Sequence, residues 1–284
     1  MAALKTADAL TAIPWAQFEK VVVLSPHLDD AALSCAGLLA AVHDKTRIVV
    51  ATVSCANPSK REDNDATAGS GRARRGFTPP QERRKEDMRA MRALGCNFVH
   101  LGFADCVDRR SATSGELIYR QERVRWQRPS LEDSAHMEEL FIVLKRLCGR
   151  MGQVLVVCPL GIGFHVDHLI CAQVVLRLMR TGANVLFYED FPYVANPMRR
   201  DGFADSPNAA MERLGVEPIE RLVLSYDPQK KEEILMLYES QVPKLFGSRD
   251  GLRASLQSLH YESRPVEFYW RVRIAAAPPA SGVQ

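Results

Sequence analysis

Short apolar runs alternate with longer segments of mixed polarity along most of the chain. The runs are rich in Val, Ile and Leu and lie at residues 21–24, 47–55, 98–102, 153–158, 185–189, 222–226 and 266–274. Between them, apolar residues recur at helical spacing at residues 30–43, 82–94, 130–149, 167–180 and 228–245. Strands that alternate with helices of this length predict an α/β fold, a Rossmann-like, mostly parallel sheet with helices on both faces.

Two polar stretches interrupt this alternation. Residues 57–80 are rich in Gly, Pro and charged side chains, and residues 105–129 lack regular apolar spacing. We therefore predict a single domain at residues 21–274 that carries these stretches as mobile loop insertions. Residues 1–20 are predicted to be an N-terminal extension, and residues 275–284 a disordered tail.

The composition is that of an ordinary folded protein. Of 284 residues, 46% are hydrophobic and 25% are charged, so the chain can bury a core without disulfides or structural metals. The net charge of +3 is small, and basic residues are interleaved with acids, which argues against nucleic-acid binding and adsorption to a membrane surface. No apolar stretch is long enough to span a bilayer.

The cysteine pattern bears on the compartment. Seven cysteines are present, none forms a CxxC pair, and most lie in apolar runs, which is typical of buried, reduced thiols rather than a zinc ribbon. The first 20 residues lack the basic start and continuous apolar run of a signal peptide. These features predict a cytoplasmic protein.

The first candidate site follows the strand predicted at residues 21–24. His27, Asp29 and Asp30 lie at this strand-to-helix turn. The acids could cap the helix, since carboxylates favour helix N-termini. Alternatively, His27 and one acid hold a divalent metal while the other acid serves as a base. Capping explains one Asp but leaves the second acid and His27 without a reason.

The second candidate site follows the strand predicted at residues 153–158. Gly161 and Gly163 permit an irregular turn before His165, Asp167 and His168. Asp167 is well placed to orient a neighbouring imidazole by accepting its second N–H. A plainer reading, an Asp N-cap followed by a surface His, leaves two histidines unexplained.

The two candidate sites follow parallel strands, so they lie at the same end of the sheet, where α/β folds bind ligands. Together they supply two imidazoles and one carboxylate as an open three-ligand zinc site, with an acid and a histidine left over. An open position that holds water suits a hydrolase, because zinc lowers the pKa of that water to about 7. Histidine and carboxylate ligands accept Zn²⁺ and Fe²⁺, so the sequence leaves the metal open between them.

These two segments resemble the hallmarks of the PIG-L/LmbE-like zinc-dependent de-N-acetylases. The family's (A/P)HPDD(E) segment is matched by residues 26–30, and its HPDH or HxDH segment by residues 165–168. The resemblance implies that the zinc ligands are His27, Asp30 and His168. It implies that Asp29 is the base that activates zinc-bound water. It also implies that His165, oriented by Asp167, stabilises the oxyanion in its protonated form or protonates the leaving amine.

Further matches extend the resemblance to about residue 241. Residues 83–86 look like the family's RxxE segment, and residues 238–241 look like its HxSQ segment with Tyr238 in place of the frequent His. The family's Arg that matches Arg83 commonly faces substrate, although Arg83 could also be a solvated charge on a helix. Leu28 and Val166 replace the usual prolines, and Ala31 stands where Glu is common.

Asp105 is a further candidate for substrate binding. It lies just beyond the strand predicted at residues 98–102, where it could bind substrate hydroxyls or simply cap a turn.

The resulting hypothesis is a metal-dependent hydrolase that removes an N-acetyl group from an amino-sugar or glycoside-type small molecule. Two alternatives remain, an amidase for a larger N-acyl group and a non-catalytic metal-binding protein. A dinucleotide binder is disfavoured because no GxGxxG follows a strand. The expected partner is a small N-acylated, sugar-like substrate, and a homo-oligomer is left open.

Overall fold

A mixed sheet of nine strands runs through the computed structural model, which describes residues 6–58, 78–121, 125–195 and 206–275. In chain order the strands are β1 (Thr6–Asp8), β2 (Lys20–Ser25), β3 (Ile48–Ser54), β4 (Asn97–Phe103), β5 (Val154–Pro159), β6 (Asn184–Tyr188), β7 (Val216–Ser225), β8 (His260–Tyr261) and β9 (Arg264–Ile274). Their order across the sheet is β1-β7-β9-β6-β5-β2-β3-β4, and β8 pairs with β9 off this path. All pairs are parallel except those of β9 with β6, β7 and β8. The prediction of a mostly parallel α/β sheet is therefore confirmed.

Helices cover both faces of this sheet. The described helices are α1 (Ala9–Ala12), α2 (Asp30–Val42), α3 (Pro80–Ala93), α4 (Ser134–Cys148), α5 (Val166–Arg180), α6 (Pro207–Leu214), α7 (Pro228–Leu235), α8 (Val242–Phe246) and α9 (Arg249–Ser258). Alternate residues of β2 point into two different hydrophobic clusters, because successive side chains of a strand face opposite sides. Val21 and Val23 pack in the cluster that includes α2, whereas Val22 and Leu24 pack in the cluster that includes α4 and α5.

The centre of the sheet positions the two sequence motifs. β2 and β5 are parallel neighbours, with Val23 opposite Val157, so their carboxyl ends open side by side. From β2 the sheet continues to β3 on one side, and from β5 it continues to β6 on the other. The junction of β2 and β5 is thus the point at which strand order reverses, the usual ligand site of open α/β sheets.

Several elements differ from the sequence prediction. The single helix predicted at residues 228–245 is two helices, α7 and α8, and the intervening turn is held by Ser240, whose N–H and hydroxyl both donate to Glu86. The prediction omitted α1, α6, α9, β1 and β8. Strand β1 lies within the predicted N-terminal extension and pairs with β7, so the sheet begins before residue 21.

The two predicted loop insertions fare differently. Residues 105–121 are irregular in backbone, as predicted, but Arg109 and Tyr119 within them are buried. Most of the 57–80 stretch and the tail after residue 275 lie outside the described residues.

Within the described ranges, no helix combines the length and the apolar character needed to cross a membrane. All seven cysteines are buried and form no disulfide, which agrees with the prediction of buried thiols.

A buried ion pair joins helix α7 to the sheet. Lys231 Nζ lies 2.7 Å from Glu267 Oε1, and both side chains are almost fully buried. The Glu267 carboxylate also accepts the backbone N–H groups of Gly37 and Leu38 on α2 and the hydroxyl of Tyr269. One carboxylate therefore ties together α2, α7 and β9, and it depends on Lys231 to balance its charge.

Replacing this lysine tests the role of the ion pair. We expect Lys231→Met to lower the free energy of unfolding by about 3–5 kcal/mol, because it leaves the Glu267 carboxylate buried without a counter-charge. Urea denaturation measures this difference. Lys230→Met is the matched control, since Lys230 is the exposed neighbour on the same helix. Equal urea midpoints for the two variants would contradict the prediction.

Candidate metal centre and active site

The predicted site residues come together at the carboxyl ends of β2 and β5. A cavity of about 250 Å³ opens there, and its walls include six of the eight predicted residues: His27, Asp29, Asp30, Arg83, Asp105 and His165. The other two, Asp167 and His168, are buried at the start of α5. The two motifs, separated by 140 residues between His27 and Asp167, are in direct contact through a hydrogen bond.

Asp30 lies between two imidazoles. Its Oδ2 is 3.0 Å from Nδ1 of His27 and 3.3 Å from Nε2 of His168. His168 Nε2 is buried, and despite the nearby Asp30 oxygen it makes no hydrogen bond of good geometry among the described residues, which a buried polar nitrogen ordinarily requires. Ring nitrogens of His27, His168 and His165 also fall within 4.8 Å of one another. An orphaned imidazole nitrogen beside a carboxylate and a second imidazole fits a divalent metal with an open position.

Each of the two imidazoles next to Asp30 has its other nitrogen on a second carboxylate. His27 Nε2 is 3.0 Å from Asp167 Oδ2, and His168 Nδ1 is 2.7 Å from Asp190 Oδ1. Asp190 Oδ2 additionally accepts the N–H groups of Gly161 and Ile162. Such outer carboxylates set the tautomer and the orientation of metal-binding histidines. The nitrogens left facing Asp30 are therefore those that a metal would use.

Asp190 follows the strand predicted at residues 185–189, where the sequence allows it to line the pocket or to be an ordinary loop charge. Its only sequence signal is an acid directly after the apolar run that forms β6, and an ordinary loop charge has the same appearance. What identifies Asp190 is the adjacency of β6 to β5, which brings it to His168.

The structure decides between capping and chemistry for the paired acids. Asp29 occupies the N-cap position of α2 but makes no capping hydrogen bond. The N–H of Ala31 donates instead to the Ser25 hydroxyl. Asp29 Oδ1 accepts a 2.9 Å hydrogen bond from Arg83, and Asp30 accepts the backbone N–H of His27. Neither acid is explained as a helix cap.

The pKa values of the two adjacent acids shift in opposite directions. Burial, with help from the neighbouring Asp30 charge, raises the pKa of Asp29 against the opposing effect of Arg83. Burial also acts to raise the pKa of Asp30, but His168 and His27 outweigh it and hold that pKa well below its ordinary value. Adjacent carboxyl groups whose environments push their pKa values apart are typical of acid–base sites.

Asp167 does not orient His165 as the sequence analysis expected. Its carboxylate binds His27 and forms a buried ion pair with Arg109, which also lies 2.9 Å from Asp133. Only the backbone N–H of Asp167 reaches His165, at 3.3 Å from Nδ1. The Asp167 carboxylate binds His27 and Arg109 because both offer N–H donors in a buried environment, where a carboxylate needs hydrogen bonds and an opposite charge.

The surroundings of His165 favour its neutral form, whereas the family resemblance implies a protonated one. Burial, reinforced by neighbouring His27, lowers the pKa of His165 to about 3. Because Nδ1 accepts the Asp167 N–H, the ring proton resides on Nε2, which lies 3.8 Å from the Cys106 sulfur. The Trp126 ring also lies against His165, with 5.0 Å between centroids.

A constrained turn delivers the second motif. Gly161 and Gly163 have φ of 83° and 85°, and Phe164 between Gly163 and His165 also has a positive φ of 58°. A Cβ on Gly163 would lie 2.7 Å from the Tyr193 ring, so only glycine permits this approach. A non-glycine residue in this backbone region stores strain, which is commonly found beside functional groups.

The two predicted substrate-binding residues both line the cavity. Arg83 is held by Asp29 rather than solvated. Asp105 Oδ2 is 3.9 Å from His27 Nε2, while its Oδ1 accepts the N–H of Val107, so the turn-capping role proposed as its alternative is also present. The cavity wall also includes Arg125, Trp126 and Tyr193, which no pattern in the sequence marked.

The fold and this donor set define an α/β protein with an open metal centre. A model of the family described as PIG-L, GlcNAc-PI de-N-acetylase, matches residues 22–179. The chain belongs to this family.

Relatives and solved structures agree with that assignment. The chain is 31% identical over 228 residues to 2'-N-acetylparomamine deacetylase of Streptomyces fradiae, which covers 78% of this chain and 73% of that protein. A 2'-N-acetylparomamine deacetylase of Niallia circulans is 29% identical over 244 residues, covering 79% and 81%. The zinc-inhibited form of teicoplanin deacetylase Orf2 superposes with a TM-score of 0.71 at 24% identity, over 89% of this chain and 98% of that chain.

These comparisons confirm the predicted family, the fold class and the reaction. The chain is an N-deacetylase, a hydrolase of a metal-dependent family. The assignment of individual site residues is supported by the geometry of the site and not by these comparisons.

The contact between Asp190 and His168 generates a prediction about metal affinity. We expect Asp190→Asn to weaken zinc binding about 10- to 100-fold, because an amide cannot accept the His168 N–H and both backbone N–H groups at once. Competition with a chromophoric chelator measures the affinity. Glu189→Gln is the matched control, since Glu189 is the adjacent buried acid but binds Arg221 and Trp270. A zinc affinity for Asp190→Asn no weaker than that of the control would refute the assignment.

Proposed function

We propose that this chain uses zinc to hydrolyse the acetamido group of an amino sugar within a glycoside. The observation that carries the proposal is the position of Asp29. It lies next to Asp30 and lines the cavity, and its carboxylate accepts a hydrogen bond from Arg83. A structural metal site has no use for such a carboxylate, whereas a hydrolase needs a base next to its open position.

The metal would be held by His27, Asp30 and His168. When bound, it supplies the Lewis acidity that polarises the amide carbonyl and makes water a better nucleophile. Zinc is proposed because two imidazoles and one carboxylate are donors common at catalytic zinc sites, although ferrous iron accepts the same set.

Asp29 is proposed to move the proton. It takes a proton from the attacking water as the new C–O bond forms, and returns it to the nitrogen as the C–N bond breaks, which yields acetate and a free amine. Arg83, 2.9 Å from Asp29 Oδ1, holds the carboxylate in place and borders the substrate. A positioned base of this kind is worth about 10²–10⁴ in rate.

His165 is proposed to stabilise the developing oxyanion as a neutral donor. Its Nδ1 accepts the Asp167 N–H, so Nε2–H, which lies 3.8 Å from Cys106 Sγ, is the ring group that can donate. A neutral imidazole can serve in this way, as it does in other enzymes that keep such a histidine uncharged. Asp167 acts on the opposite side of the site, where it orients His27.

The substrate class is proposed from the relatives and from the cavity. Both curated relatives are named for 2'-N-acetylparomamine, an N-acetylated amino sugar. The cavity of this chain presents the rings of Trp126 and Tyr193, 5.7 Å apart, as an apolar wall for a sugar ring, and Asp105 as an acceptor for hydroxyl groups. A site of this type would serve an amidase with a larger acyl group equally well if the acyl pocket were deeper.

The setting of the enzyme is also proposed. We propose that the catalytic domain is the unit predicted at residues 21–274, extended at its N-terminal edge by β1, and that the protein is cytoplasmic. Seven buried, unpaired cysteines support a reducing compartment.

The proposed role of Asp29 predicts a separation of metal binding from turnover. We expect Asp29→Asn to retain about one zinc per chain and to lose about 10²–10⁴ in amine release from N-acetylated amino sugars. Elemental analysis and an amine-detection assay measure the two quantities. Asp44→Asn, at an exposed position, is the control and should keep both properties. Loss of zinc together with activity would instead make Asp29 a ligand, and undiminished activity would remove it from the mechanism.

A further inference from the structure

One cation in the cavity wall has no counter-charge among the residues that the structure describes. The Arg125 side chain is only 8% exposed and lines the cavity. Its Nε is buried without a hydrogen bond, and no carboxylate in the described part of the chain forms an ion pair with its guanidinium. A buried cation without a partner is costly, so an unpaired arginine that faces a cavity requires an explanation.

The other buried arginines around the site do have partners. Arg83 forms its ion pair with Asp29 at 2.9 Å, and Arg109 is bound by both Asp133 and Asp167. Each of these two guanidiniums is therefore balanced by a carboxylate. Arg125 is also largely buried but has no carboxylate partner in the described part of the chain, and the open side available to it is the cavity.

Arg125 lies on the His165 side of the cavity. It is close enough to the Cys106 thiol to oppose the rise in the pKa of that thiol, which burial and the carboxylates Asp167 and Asp105 produce. Cys106 Sγ is in turn 3.8 Å from His165 Nε2, and Trp126, the residue after Arg125, packs on the His165 ring. The cavity thus carries Arg83 beside Asp29 and a second guanidinium near His165.

The charges that line the cavity favour an anion. Its walls carry three carboxylates, from Asp29, Asp30 and Asp105, and the two guanidiniums of Arg83 and Arg125. With a divalent metal bound, the positive charges exceed the negative ones by one unit. A guanidinium presents a planar fork of donors that matches carboxylate or phosphate oxygens in a bidentate manner.

We propose that Arg125 binds an anionic substituent, a phosphate or a carboxylate, on the amino-sugar substrate. The inference rests on the proposed function, since it names a substituent of the molecule that the same cavity deacetylates. It makes Arg125 a residue that selects the substrate and does not take part in the proton transfers. Paromamine derivatives, which carry amino groups, would then be poorer substrates than acidic N-acetylamino sugars.

Binding of deacetylated products tests this without relying on turnover. Glucosamine, glucosamine 6-phosphate and muramic acid are titrated into the zinc-loaded full chain, with affinities measured by ligand-detected NMR. We expect at least one acidic sugar to bind about tenfold or more tightly than glucosamine, and Arg125→Gln to abolish that preference. The phosphate and carboxylate arms show which oxyanion fits. Arg128→Gln, an exposed arginine three residues away, controls for the change in net charge.

Stability provides a second readout. Removing an unpaired buried cation should leave the thermal midpoint of Arg125→Gln equal to or above that of the wild type, as is common when a functional residue is removed. A clear drop in the midpoint would show that Arg125 has a structural partner and would overturn the proposal. Equal binding of acidic sugars and glucosamine, or equal losses in Arg125→Gln and Arg128→Gln, would overturn it as well.

Turnover separates this inference from the proposed function. Suppose that the chain releases amine from neutral N-acetylglucosamine and from 2'-N-acetylparomamine, shows no preference for acidic sugars, and keeps these rates in Arg125→Gln. That result would overturn the anion site and support deacetylation. Arg125-dependent binding of an acidic sugar without amine release from its N-acetyl form would support the anion site and overturn the proposed function.

Discussion

The parallel pairing of β2 with β5 is the constraint on which the site depends. With Val23 opposite Val157, the two strands end side by side, and each passes directly into a turn that carries chemical groups. Both strands are buried on both faces, so their register is set by two hydrophobic clusters at once. A shift in the register of either strand would separate His27 from Asp167, and the donor groups would no longer lie together.

Charge pairing around the site gives each ligand one orientation. His27 lies between Asp30 and Asp167, and His168 lies between Asp30 and Asp190. Each outer carboxylate binds the imidazole nitrogen that faces away from Asp30. The nitrogen that faces Asp30 is therefore held in place on both rings. Asp29, held by Arg83, lies outside this arrangement, as its proposed role in proton transfer requires. Arg125 differs from these charged groups because it has no carboxylate partner among the described residues.

Local patterns predicted the central elements well and the outer ones poorly. The strands around β2 and β5 are continuous apolar runs with strong β propensity, so their ends were placed within about two residues. The helix predicted at residues 228–245 failed because its periodicity continues through a turn that Ser240 and Glu86 stabilise from outside the segment. Strand β1 has three residues and is recognisable only through its pairing with β7.

Residue identity by itself determined which groups could do the chemistry: a histidine and two acids after one strand, and two histidines and an acid after another. These groups stand in strand–turn–helix patterns that span a few residues and can be recognised from the local sequence. The tertiary structure alone decided that Asp167 serves His27 and not His165, that Asp190 orients His168, and that Arg125 and Trp126 face the cavity. Those contacts join distant segments, and the order of strands and the packing of loops fix them, whereas sequence spacing does not.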